Sequence, residues 1–121
     1  MQVKDQLSGV NSYNLNTALL HQMAIEKVIL VMRERLHEPL SLEDMADIAH
    51  LSPYHFSRVF HRLIGVPPGE FLAALRLDAA KRLLLTTSLS VTDICFEVGF
   101  NNLSNFNRQF LAEKYHFKPE E

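Results

Sequence analysis

Apolar residues recur at steps of three and four along most of the chain. Ile25, Val28, Ile29, Met32 and Leu36 share one side of a helix expected over about 18 to 37. Pro39 ends it, because a residue before proline avoids helical angles. Residues 1–17 mix Ser, Asn and Gly without clear periodicity and read as a flexible leader. "SLEDMADIA" opens a short second helix ending near His50, with Ser41 as N-cap and Asp44 where a capping-box acid would sit. Ser52 caps a third, with Pro53 at its first position and Gly65 as its stop. Two helices joined by about three residues outline a helix-turn-helix. After Pro67 and Pro68, an Ala- and Leu-rich run predicts a helix over about 69 to 86, roughly 25 Å long at 1.5 Å per residue. Ser90 caps another short helix through Glu97, Gly99 marks its end, and a further helix is expected over about 102 to 114. Pro119 would start one more. No stretch alternates as a strand does, so the expected fold is all-α.

The chain also repeats itself. Ser41, Asp44, Met45 and Leu51 match Ser90, Asp93, Ile94 and Phe100 at an offset of 49. Phe56, Arg58 and Phe60 match Phe106, Arg108 and Phe110 at 50, and Pro68 matches Pro119 at 51. Two single-residue insertions reconcile the offsets, so two helix-turn-helix subdomains, 18–66 and 87–121, flank a linker at 67–86. In the second helix of the first copy, Phe56, Val59, Phe60 and Leu63 form an apolar stripe; Tyr54, Ser57, Arg58 and His61 lie opposite. In the second copy Phe106 and Phe110 define the buried stripe with Leu103 at its edge, and Ser104, Asn107, Arg108 and Leu111 make the other. Both polar stripes hold the same register to a Phe-x-Arg-x-Phe pattern. Such faces carry the donors and acceptors that read base edges in a major groove. Of the four asparagines in "NNLSNFNRQF", Asn101 and Asn102 suit a helix stop and an N-cap, Asn107 is placed to reach a base, and Asn105 faces solvent.

Composition refines this picture. Twelve Lys and Arg against fourteen Asp and Glu give a net charge of −2, which by itself announces no nucleic-acid partner. The distribution says more, since residues 52–118 hold eight basic and five acidic side chains. The longest wholly apolar run, "VILVM", is far short of the roughly 20 residues that span a bilayer. A lone cysteine, Cys95, sits among Ile94, Phe96 and Val98 and suits a core position in a reducing, cytoplasmic compartment. The six histidines show no ligand spacing, so no metal or other cofactor is expected. Neither a nucleophile elbow nor a phosphate loop is present, and an enzyme is not expected.

From about Ile25 to Pro119 the sequence resembles the C-terminal DNA-binding domain of the AraC family of bacterial transcription regulators. "SLEDMADIAHLSPYHFSRVFHRLIG" and the "VGF" at 98–100 followed by Phe106, Arg108 and Phe110 carry the resemblance. It implies about seven helices, with two recognition helices entering successive major grooves of double-stranded DNA. It places base-facing residues at Tyr54, Ser57 and Arg58 in the first and at Leu103, Ser104, Asn107 and Arg108 in the second. Ser52, His61, Arg62 and Asn102 fall at backbone-contacting positions, and Arg76 at a structural arginine of the linker helix, for which Asp93 is a candidate partner. RNA polymerase and an effector-binding or dimerisation domain of a longer parent chain are the other partners the family implies; the end at Glu121, just inside the expected last helix, favours a longer parent. Three positions depart from the family pattern. His61 and Leu111 stand where a lysine is common, which should weaken phosphate contacts and lessen salt dependence, and His116 replaces a common glycine. The competing reading is an all-α protein-interaction module whose polar faces bind protein.

Overall fold

The computed structural model describes residues 12–116, with side chains described over 15–112. Six helices make up these residues: α1 (Ser12–Glu34), α2 (Leu42–Ala49), α3 (Pro53–Ile64), α4 (Pro68–Thr86), α5 (Val91–Glu97) and α6 (Leu103–His116). The helix expected from Pro119 lies outside the described residues. Helix α1 corrects the expected leader, because it begins at Ser12 and stops at Glu34 rather than running from 18 to 37. The chain forms two compact units. Within the described residues, one comprises 12–32 together with Leu40–Pro68; the other comprises Arg33–Pro39 together with 69–116. The expected linker is therefore largely part of the second unit, as α4.

In the first unit Ile25, Val28 and Met32 of α1 are buried, as are Met45, Ala46 and Ala49 of α2 and Phe56, Val59 and Phe60 of α3. The Phe56 and Phe60 rings meet at 5.8 Å. Leu63, expected in this stripe, is 45% exposed, since the core ends one turn before the helix does. Helix α1 is apolar on two opposite sides: Leu15, Leu19, Leu20, Met23 and Leu30 are exposed on the side away from the core. That composition makes Leu15–Glu34 long and apolar enough to cross a bilayer by length and hydropathy, a test that core helices also pass.

Both helix-turn-helix turns are built alike. Ser41 caps α2 through a full capping box, its Oγ accepting from the Asp44 N–H at 3.0 Å while Asp44 Oδ2 accepts from the Ser41 N–H at 3.0 Å. Ser90 Oγ accepts from the Asp93 N–H at 3.0 Å and caps α5. At the far ends, the Leu51 N–H donates to the Ala46 carbonyl at 3.0 Å and the Phe100 N–H to the Cys95 carbonyl at 3.1 Å, closing equivalent turns. Each turn passes through a left-handed residue, His50 at φ 59° and Gly99 at φ 104°. The first value falls in the small region open to L residues, which is why a histidine serves there.

The second unit packs Leu77, Ala80, Ile94, Cys95, Val98, Phe100 and Phe106 into one core. Phe106 is central, with its ring 5.1 Å from Phe100 and 5.6 Å from Phe110. Cys95 is fully buried, and burial raises its thiol pKa. Arg76 does not use Asp93. Its Nε donates to the Leu36 carbonyl at 3.0 Å and its Nη2 to the Glu38 carbonyl at 2.9 Å, tying the turn after α1 to α4. Helix α4 closes with Thr86 and Thr87 hydroxyls donating to the Arg82 and Leu83 carbonyls, both at 2.7 Å, which satisfies acceptors at its last turn.

Candidate nucleic-acid interface

Helix α3 is positioned by its cap. Ser52 Oγ accepts from the His55 N–H at 3.2 Å, and Pro53 at the first position is pre-set for helical φ. Burial of Phe56, Val59 and Phe60 then turns Tyr54, Arg58 and His61 to solvent, with Ser57 half-buried between them. Tyr54 is 72% exposed, an unusual position for so large a ring. It engages Arg58, whose Nη1 donates to the Tyr54 hydroxyl at 3.1 Å and whose guanidinium lies 5.6 Å from the ring centroid. Arg58, His61 and Arg62 line one open hollow. The His55 ring is in edge contact with His21 of α1 at 5.2 Å. Burial, then the neighbouring His55 and Arg62, hold the His21 pKa below the ordinary histidine value.

Helix α6 follows the same plan. Asn102 is its cap, with Oδ1 accepting from the Asn105 N–H at 2.7 Å. Asn101 has no part in that cap, and the stop before it belongs to Val98 and Gly99. Phe106 is buried and Phe110 partly so, leaving Ser104, Asn107, Arg108 and Leu111 exposed on the opposite side. Leu103, expected to face a base, packs against the core of the second unit, so only part of its side chain is open to solvent. Asn105 is a correction to the sequence reading. It is half-buried, and its Oδ1 accepts from Arg108 Nη2 at 2.5 Å and from Gln109 Nε2 at 3.0 Å. The spacing i to i+3 and i+4 was the available signal for this contact.

The backbone-contacting candidates lie near helix ends. Ser52 and Asn102 are exposed at the N-termini of α3 and α6, where helix N–H groups favour phosphate. Capping uses an acceptor of each, so the Ser52 hydroxyl hydrogen and the Asn102 NH2 remain as donors. His61 and Arg62 are exposed near the end of α3.

A family model described as a helix-turn-helix domain matches residues 45–116, which include both turns and both exposed helices. The transcriptional activator AarP of Providencia stuartii is 30% identical over 101 residues, covering 84% of this chain and 75% of that protein. The chain belongs to the AraC-type helix-turn-helix family. It is similarly 30% identical to the uncharacterized regulator YbfP of Bacillus subtilis, again over 84% of this chain but only 34% of that protein's length. Among solved structures, the DNA-binding domain of AdpA in complex with a target DNA superposes with a TM-score of 0.68 at 31% identity, over 71% of this chain and 78% of that one.

For an AraC-type domain, Leu111 is the least expected member of the exposed stripe. It is 48% exposed, on the side of α6 turned away from the buried Phe106. Leu111→Lys should therefore leave folding intact, tighten DNA binding and steepen its salt dependence by about one counterion's worth of slope. Anisotropy titrations at several salt concentrations would measure this; an unchanged slope would place residue 111 away from the phosphates.

Proposed function

We infer that this chain binds double-stranded DNA sequence-specifically and regulates transcription, with α3 and α6 each laying its exposed stripe in a major groove. One observation carries the reading. Two helices of the same chain, each docked by a Phe-x-Arg-x-Phe pattern, expose an arginine at the equivalent position and hold it by a neighbour on the same helix. Arginine is the side chain best suited to the paired acceptors of guanine. Successive grooves on one side of B-DNA recur at about 34 Å, so two recognition helices of one chain call for half-sites one helical turn apart. AdpA, a similar structure, is seen with a target DNA, which supports the same reading here.

Selection from a random duplex library tests it. Enrichment of a site with two half-sites about one helical turn apart is expected. Arg58→Ala and Arg108→Ala should each relax preference at a different base pair, by roughly 1–3 kcal/mol for a bidentate contact. Uniform weakening on every sequence would assign them to phosphate, and failure to enrich any duplex at low salt would favour the protein-interaction module. On family grounds we extend the proposal to contact with RNA polymerase, to an effector-binding or dimerisation domain in a longer parent chain, and to a place on the bacterial nucleoid. Copurification of polymerase with the chain on its selected duplex would test the first.

A further inference from the structure

The geometry points to Asn105 as the residue that positions Arg108 for base reading, an inference that rests on the reading of α6 as a recognition helix. Asn105 lies about 60° around the helix from Arg108, at the flank of the exposed stripe rather than in it. Its backbone N–H is held by the Asn102 cap, and its Oδ1 accepts from Arg108 and Gln109 together. Those two donors fix the orientation of the amide, because turning it over would aim an NH2 group at a guanidinium. The guanidinium is thus anchored through one Nη2 hydrogen, while its other donors meet no acceptor among the described residues and are available to a two-acceptor base edge. An unanchored exposed arginine samples many rotamers, and ordering one such side chain on binding lowers affinity by roughly two- to tenfold. Asn105 removes that loss before DNA arrives.

The first copy does this differently. Arg58 is held by Tyr54, which aligns with Ser104, whereas the residue aligned with Asn105 is His55, whose ring meets His21. The two arginines therefore swing to different sides of their helices, and the Asn105 anchor belongs to the second helix.

The test uses the whole chain and a duplex that it has enriched from a random library, with binding read by anisotropy against the three alternative base pairs at the Arg108 position. Asn105→Ala should lower discrimination at that base pair roughly two- to tenfold and leave the other positions unaffected. Alanine is the better helix former, so the melting temperature should hold or rise. Asn105→Asp keeps the acceptor and should keep the discrimination, while its added negative charge weakens binding to all duplexes alike. In an Arg108→Ala background, Asn105→Ala should change nothing further. Full discrimination in Asn105→Ala, when Arg108→Ala has lost it, overturns the inference and leaves the function standing. So does an Asn105→Ala effect that persists undiminished without Arg108, since Asn105 would then touch DNA itself. If Arg108→Ala retains the wild-type preference, base reading by Arg108 fails, and the positioning role falls with it.

Discussion

Phe106→Ala should lower the stability of the second unit by about 3–5 kcal/mol, the range for truncating a buried Phe. Phe106 is 2% exposed, and its ring contacts Phe100 edge-on and Phe110 face-on. Each aromatic pair adds about 0.5–1.5 kcal/mol beyond the area it buries, and Leu103 and Phe110 pack against the same cluster without filling its centre. Against a typical total of about 5–15 kcal/mol, the loss leaves α6 marginal. Urea unfolding followed by circular dichroism gives the magnitude. Hydrogen exchange gives the location, with protection falling in α5 and α6 while α3 keeps its own core of Phe56, Val59 and Phe60. A change below about 1 kcal/mol would mean that the Phe106 site collapses around the missing ring far more readily than buried Phe sites do.

Gly99→Ala should cost about 3 kcal/mol or more, and Gly65→Ala only about 1–2 kcal/mol, the price of a left-handed backbone for an L residue. Both glycines have positive φ, 98° at Gly65 and 104° at Gly99. A Cβ on Gly65 would meet nothing within 4 Å. On Gly99 it would lie 2.6 Å from the Leu36 carbonyl oxygen and 2.7 Å from Arg76 Nε. The guanidinium would have to move, and with it the bonds to the Leu36 and Glu38 carbonyls, where a hydrogen bond from a charged donor contributes about 1.5–3 kcal/mol. Thermal melts of the two variants side by side isolate the crowding term. Equal losses would show that the Arg76 cluster yields freely.

Much of this architecture is legible in the residues because its causes are local. Caps depend on a short polar side chain and the next three N–H groups, so Ser41, Ser52 and Ser90 announce their helices from sequence. The repeat offset of 49 reappears as two turns closed by equivalent hydrogen bonds. The stripes of α3 and α6 follow from helical periodicity and need only the knowledge that phenylalanines go inward. Periodicity is blind to where a core ends. It therefore placed Leu63 inside and missed the start of α1, whose Leu15 faces away from the core.

By itself the sequence determined the all-α class, the duplicated helix-turn-helix, the two exposed arginines and their membership of the AraC-type family. Tertiary structure alone decided what those residues meet. Gly65 and Gly99 look alike as helix stops, but only Gly99 lies under Leu36 and Arg76, residues 63 and 23 positions earlier in the chain. The sequence reading offered Asp93 as a partner for Arg76, which instead binds two carbonyls about forty residues back, at Leu36 and Glu38. The physical reason is common to both. A backbone angle or a cap is set by neighbours within one turn, whereas a carbonyl offered by a distant turn, or the space beside a glycine, exists only after the chain has folded.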